Sequence, residues 1–400
     1  MTLKNKSYNI VMYSHDTYGL GHIRRTMAIA SQLRSPNFNI LILTGSPIAG
    51  RFSFPEQIDF VRIPGMIKKT NQEYLPMSIK INPNHALDIR KKIILATVKS
   101  FQPHLFIVDK EPLGLKKEVL PALKWLRKSC PETHTVLGLR DIMDDGQTVK
   151  KNWEKRGIYQ ALDSYYSEIW TYGIRQFYDP ITEYDVPHNI GGKMHFTGYI
   201  PRAVKSKKEA LRERERHRIA KEEKLVVVTT GGGGDGYPVM DAYLSMLESR
   251  PSAVSFSSIL ITGPFMPKSQ RKDIFRRSSR LRHLKVKVFH FYRQMEKILA
   301  AGDLVISMGG YNTVCELMSL QKVSLLIPRE TPRLEQTLRA QCFHQRNLLD
   351  YIPWKDISPE RLNEKVNELL QKSEVYQEAM SKFEMTGFDV MRRRIETFRE

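Results

Sequence analysis

Three segments of this sequence set glycines beside residues able to move a proton or hold an anion. The first, YSHDTYGLGHIRRTMAIASQL at residues 13–33, contains His15, Asp16, Gly19, Gly21 and His22. Glycines at the end of a strand let the backbone approach a ligand closely or simply turn the chain. A histidine fixed at the following helix start adds an imidazole that titrates near neutrality and suits general-base work. The second segment, TTGGGGDGYP at residues 229–238, sets Gly231, Gly232, Gly233 and Gly234 in a row. Successive N–H groups of such a loop form a nest for anionic oxygens. No Gly-Lys-Ser/Thr closes it, so it is not a nucleotide-triphosphate P-loop. The third segment, residues 303–340, has a strand ending at Ser307, then Gly309 and Gly310, with Asn312 as the expected cap and Thr313 as the expected helix start. The positive end of that helix favours phosphate. Glu316, one turn on, can accept hydrogen bonds from a vicinal diol such as a ribose, and Glu335 and Gln336 can take further hydroxyls.

These loops need strands and helices to hold them. Short β-branched runs at 8–14, 39–44, 59–63, 105–109, 135–140, 168–172 and 194–197 alternate with amphipathic stretches such as 23–33 and 116–128. In 23–33 the apolar positions are spaced as on a helix and leave Arg24 and Arg25 free. After a charged stretch the alternation restarts, with strands expected at 224–230, 257–262, 285–289, 303–307 and 323–328. Alternation without hairpin signals implies βαβ units and parallel sheets. The expected organisation is an N-terminal domain over 1–202, a charged, solvated linker over 203–223 and a second domain over 224–380. A helix over 381–400 is expected to cross back to the first domain.

The chain has 400 residues, enough for two large domains. Its 41% hydrophobic and 26% charged residues exclude wholesale disorder. No apolar run approaches the ~18–20 residues of a membrane-spanning helix. The N-terminus lacks an apolar signal region, and three scattered cysteines offer neither a disulfide framework nor a CxxC metal site, so a reduced cytoplasmic setting is expected. Lys and Arg outnumber Asp and Glu by 63 to 43, a net charge of +20. That surplus draws polyanions without choosing among them. No RNP, KH or zinc pattern is present, so nucleic acid is a poorly supported partner. Basic clusters at Lys68, Lys69, Arg90, Lys91 and Lys92, and across 271–287, read as solvated helix faces or as contacts to an anionic membrane surface. Ile93, Ile94, Leu95 and Val98 after the first cluster suit either shallow membrane contact or a core helix.

The third segment resembles the donor-binding signature of GT-B glycosyltransferases, closest to family 28. The resemblance rests on Gly310, Asn312, Thr313, Glu316, Pro328, Glu335, Gln336 and Ala340. Gly19, Gly21 and His22 are similar to the N-terminal Gly-x-Gly-His of that superfamily, and residues 197–202 to the segment ending its N-terminal domain. The resemblance implies an α/β GT-B architecture, two Rossmann-like domains facing a central cleft. It implies a nucleotide-diphosphate-sugar donor in the second domain, most simply a UDP-sugar, and a lipid-linked or anionic acceptor in the first. His22 inherits the role of the base that deprotonates the acceptor. Asp109, at a strand end, either orients and charge-balances it or caps a helix. His15 and Asp16 are second choices, and Gly19, Gly21, His15 and Asp141 are acceptor-side candidates. Phe291, in a loop similar to the one that contacts the base, joins the donor residues. Met308 stands where plant-type relatives have a histidine, which leaves the phosphate to backbone groups. No Asp-x-Asp is present, so transfer without metal or cofactor is expected, and the resemblance alone implies inversion at the anomeric carbon. Other readings are a nucleotide-sugar hydrolase of the pseudaminic-acid-pathway type, whose Gly-x-Gly-His-x-x-Arg loop is very similar, a UDP-sugar 2-epimerase, and a basic nucleic-acid- or membrane-binding protein without catalysis.

Overall fold

A computed structural model describes residues 7–16, 21–51, 54–68, 74–249 and 254–399. The chain divides into two compact units, Met1–Ile200 with Thr386–Glu400, and Pro201–Met385.

The strands of the first unit are β1 (Tyr8–Ser14), β2 (Phe38–Thr44), β3 (Ile58–Arg62), β4 (Met66–Lys68), β5 (Tyr74–Pro76), β6 (Leu105–Asp109), β7 (His134–Arg140), β8 (Glu168–Tyr172) and β9 (Met194–Phe196). Seven of them form one parallel sheet in the order β3-β2-β1-β6-β7-β8-β9. Val11 and Tyr13 pack into the core with Ile94 and Val98 of the helix Pro83–Phe101, while Ile10 and Met12 are buried on the opposite face. A strand covered on both faces must be apolar throughout, which is why β1 reads as a continuous run. Strand order reverses between β1 and β6, and such a reversal opens a crevice at the carboxyl ends of those two strands.

The second unit contains β10 (Lys224–Thr229), β11 (Phe256–Ile261), β12 (Val286–Phe289), β13 (Leu304–Ser307), β14 (Ser324–Leu326) and β15 (Asp350–Tyr351). They form a parallel sheet in the order β12-β11-β10-β13-β14-β15, so here the reversal lies between β10 and β13.

Several expectations need correction. β4 and β5 form an antiparallel pair in a stretch read as free of hairpins. The helix expected over 116–128 begins at Leu120, where Pro121 suits the first turn; Lys116 and Lys117 before it have positive φ. Residues 203–223 belong to the second unit, and the helix Lys207–Arg216 buries Glu213 and Arg214. The Arg214 guanidinium donates to the carbonyl of Ala301 and to Asp303 Oδ2 at 2.8 and 3.1 Å, so this stretch is packed and not merely solvated. The C-terminal helix is shorter than the expected 381–400, running over Gly387–Thr397; it groups with the first unit, where Arg392 donates to the carbonyl of Gln32 and Arg394 pairs with Glu168.

The basic clusters also change meaning. Arg90 is fully buried and paired with Glu118, Ile94 and Val98 are core residues, and Ile93 and Leu95 pack against that core. Of the two readings of residues 93–98, this selects the core helix over membrane contact. In 271–287, Arg276 pairs with Asp273, Arg277 with Asp241 and Glu248, and Lys285 with Glu223. No helix among the described residues is long and apolar enough to cross a membrane.

Candidate active site

In the first unit, β1 ends at Ser14 and the helix Gly21–Leu33 begins beside the strand reversal. Gly19 lies outside the described residues; Gly21 is the first residue of the helix. His22 follows it, and Asp109 closes β6, the neighbouring strand. His22 Nδ1 stands 2.5 Å from Asp109 Oδ2. Asp109 is not a helix cap, since the next helical turn starts at Leu115 with Gly114 as its cap. A carboxylate accepting from Nδ1–H fixes the imidazole in the tautomer whose Nε2 carries the lone pair.

Arg25, read from its spacing as free, is buried. Its Nε and Nη2 donate to Asp109 Oδ1 at 3.1 and 2.6 Å, and Nη2 lies 3.1 Å from His22 Nδ1. Burial works to raise the Asp109 carboxyl, but the charges and hydrogen bonds of Arg25 and His22 overturn it and hold the group well below its usual range. Burial lowers His22 to about 4, assisted by Arg25 and Lys110 and opposed by Asp109. The imidazole is therefore neutral at physiological pH. An ordinary histidine titrates at 6.5, so between pH 6.5 and about 4 the unfolded chain binds a proton that the folded one does not, and stability falls as pH drops through that window.

His15 is buried further in, with Nδ1 3.2 Å from the Tyr13 hydroxyl and its ring 5.7 Å from that of His22, edge-on. Burial lowers it to about 3. Asp16 accepts from the backbone N–H of Ile23 and from Thr44 Oγ1, so it anchors the helix start. Asp141 accepts from the Tyr199 hydroxyl at 3.1 Å and is likewise buried.

In the second unit the two loops at the strand reversal lie after β10 and β13. Gly233 needs its missing side chain: φ is +84°, and a Cβ would sit 2.0 Å from the Thr262 carbonyl oxygen. The glycine loop is less open than a free nest. The Gly231 N–H reaches Thr229 Oγ1 at 3.4 Å, and that of Gly233 donates to the Thr230 carbonyl at 3.2 Å. Gly232 and Gly234 are the members whose N–H groups stay available to an anion among the described residues.

After Ser307, whose Oγ is buried without a hydrogen-bond partner, Gly309 turns with φ +76°. Gly310, not Asn312, is the N-cap of the helix Tyr311–Ser319. Asn312 Oδ1 instead accepts from Arg202 Nη2 at 2.6 Å. Thr313 lies in the first turn and Glu316 one turn on, both half-buried. A Cβ on Gly310 would meet nothing within 4 Å, so space opens over the helix start. Glu335 and Gln336 begin the helix Glu335–His344 and are buried. Phe291 is exposed and lines a shallow depression of about 520 Å³ with Phe289, Tyr292, Arg216, Arg293 and Gln294.

The residues that sequence reasoning missed are arginines. Arg339, fully buried, donates to the Gly309 carbonyl at 3.2 Å. Arg329 holds Asp235, Glu335 and Gln336, and Arg202 holds Asn312. Their only sequence signal is adjacency to the glycine and acidic motifs. Among the described residues no group of three or more His, Cys, Asp or Glu could hold a metal ion.

Residues 202–395, close to half of the chain, match the glycosyltransferase family 28 C-terminal domain. A 91-residue segment is 31% identical to the UDP-N-acetylglucosamine--N-acetylmuramyl-(pentapeptide) pyrophosphoryl-undecaprenol N-acetylglucosamine transferase of Streptococcus thermophilus, covering 22% of this chain and 26% of that protein. The chain thus matches about a quarter of the length of that curated relative. Acinetobacter baumannii MurG superposes with a TM-score of 0.61 at 12% identity, over 98% of this chain and 99% of that one. The Neisseria meningitidis UDP-GlcNAc 2-epimerase bound to UDP-GlcNAc also scores 0.61 at 12% identity, over 98% and 100%. The expected GT-B architecture and the resemblance to family 28 are borne out; at such identities the superpositions show the fold alone.

Proposed function

We propose that this chain, with a family 28 glycosyltransferase C-terminal domain on a GT-B fold, moves a sugar from a nucleotide-diphosphate-sugar donor to an acceptor hydroxyl. The proposed donor is a UDP-sugar, and the proposed reaction is inverting and independent of metal and cofactor. The observation that carries the reading is the short His22–Asp109 contact at the strand reversal of the first unit. A neutral imidazole oriented by a buried carboxylate is the arrangement that removes a proton from a hydroxyl at neutral pH.

In this reading His22 Nε2 takes the acceptor proton as the oxygen attacks the anomeric carbon, and the nucleoside diphosphate leaves from the opposite face. The N–H groups at the start of the helix Tyr311–Ser319, together with Gly232 and Gly234, receive the charge that develops on the diphosphate. Glu316 holds the ribose, Glu335 and Gln336 hold the sugar, and Phe291 packs against the base. Asp141 and His15 bound the acceptor side. The acceptor is proposed to be lipid-linked or anionic. With +20 of net charge, a cytoplasmic chain held peripherally at an anionic membrane face is consistent with such an acceptor.

The test has two arms. Nucleoside diphosphates of uracil, guanine, adenine and thymine should raise Tm by mass action, with UDP the most effective; no shift with any of them removes the donor site. Nucleotide-sugar turnover should then depend on added lipid-linked acceptor. Equal turnover without any acceptor would assign the hydrolase reading, in which His22 activates water.

The pH profile follows from the same geometry. The acid limb of kcat/KM should lie near pH 4, where the free enzyme's His22 takes up a proton, and not near the ordinary 6.5. An acid limb at 6.5 would mean that the titrating base is not this buried imidazole.

A further inference from the structure

The donor site proposed above must absorb the charge of a leaving diphosphate, yet two of its four loop glycines have N–H groups already engaged. One cation stands between the two loops that form the site. Arg329 follows β14, and its Nε lies 3.1 Å from Asp235 Oδ2 in the glycine-rich loop. Its Nη2 donates to Glu335 Oε1 at 3.1 Å, its Nη1 to the Thr331 carbonyl at 2.9 Å, and its backbone N–H to Gln336 Oε1 at 3.2 Å. The same helix start lies against the other loop: a Cβ on Gly309 would be 3.9 Å from the Gln336 carbonyl oxygen.

The two carboxylates that hold Arg329 are unlike. Glu335 is 7% exposed at its side chain and is a fixed partner, since a buried carboxylate needs a neighbouring cation. Its Oε2 is buried without a partner, which leaves one acceptor for a donor hydroxyl. The Asp235 side chain is 54% exposed, and water readily replaces arginine there. A guanidinium with one strong and one weak carboxylate partner can exchange the weak one for a phosphate, to which its planar fork is well matched.

We propose that Arg329 is the phosphate-binding side chain of the donor site, held ready by Glu335 and Asp235, and that it gives up Asp235 to grip the donor diphosphate. This rests on the glycosyl-transfer reading. Asp235 is then a competitor that keeps the cation from binding stray anions.

Isothermal titration of the full chain with UDP, GDP, ADP and dTDP, each beside its nucleoside, tests this. Arg329→Gln should weaken the best-bound diphosphate roughly tenfold or more, as expected for a lost charge-assisted contact, and leave the nucleoside unchanged. Asp235→Asn should bind the diphosphate more tightly. Diphosphate affinity unchanged in Arg329→Gln overturns the proposal, as does an equal loss for diphosphate and nucleoside. If Asp235→Asn binds more weakly, the bridge is structural and the proposal fails even where Arg329→Gln folds poorly. Wild-type chain that binds none of the four diphosphates removes the donor site itself, a failure distinguishable from that of Arg329 alone.

Discussion

Replacing His22 by alanine should lower kcat/KM for sugar transfer by about 100- to 10,000-fold, the range that a positioned general base supplies. Donor affinity should not change, because the imidazole belongs to the unit that carries β1 and β6, whereas the loops proposed to bind the donor follow β10 and β13. The loss should therefore appear in kcat and not in nucleoside-diphosphate binding measured by thermal shift. Asp109→Asn is the informative companion. An amide keeps the shape of the site but can present its N–H₂ to Nδ1, which favours the tautomer with the proton on Nε2 and removes the base. It also leaves Arg25 buried without its carboxylate, so folding must be checked first. A His22→Ala chain that turns over within about threefold of wild type would take His22 out of the mechanism and turn attention to His15 and Asp16.

The second large effect concerns stability. Glu118→Ala should cost the first unit about 3–5 kcal/mol, because it strands a buried charge. Arg90 and Glu118 are both fully buried at their side chains, with Nε to Oε2 at 2.5 Å and Nη2 to Oε1 at 2.6 Å. The Tyr13 hydroxyl donates to the same carboxylate, and Arg90 Nη1 donates to the Pro64 carbonyl. At roughly 2–4 °C per kcal/mol for a unit of this size, Tm should fall by about 6–20 °C. The double variant Arg90→Met with Glu118→Leu should recover much of that loss, since replacing a buried pair by apolar groups is often neutral. A Glu118→Ala chain with unchanged Tm would show that the pair holds nothing. Tyr13 also touches His15, whose ring lies 5.7 Å from that of His22, so this network borders the candidate base.

Much of the fold was legible because it repeats one local rule. Runs such as 8–14, 105–109 and 303–307 are apolar, β-branched and bounded by turn residues, and each is a strand. The glycine motifs were legible for the same local reason, since the positive φ of Gly233 and Gly309 strains any residue with a Cβ. Asn312 does not cap its helix, because a side chain that can cap can equally bond elsewhere, and Arg202 claims it. The antiparallel pair of β4 and β5 escaped notice because three-residue strands carry almost no periodicity.

By itself the sequence determined where strands and helices alternate and which glycines turn the chain, because hydrophobic period and backbone sterics act over a few residues. It also determined a charge of +20. What that charge does was decided by tertiary structure. Arg25, Arg90 and Arg214 read as free or solvated cations in the sequence and are buried, as is Arg339, each with a carboxylate or carbonyl brought from a distant part of the chain. The pairing of His22 with Asp109 across 87 residues has the same origin. Strand order, which no local pattern encodes, sets β1 beside β6 and brings the two ends together. An arginine carries the same charge in either place, and only its neighbours in space decide whether that charge faces water or holds a site in shape.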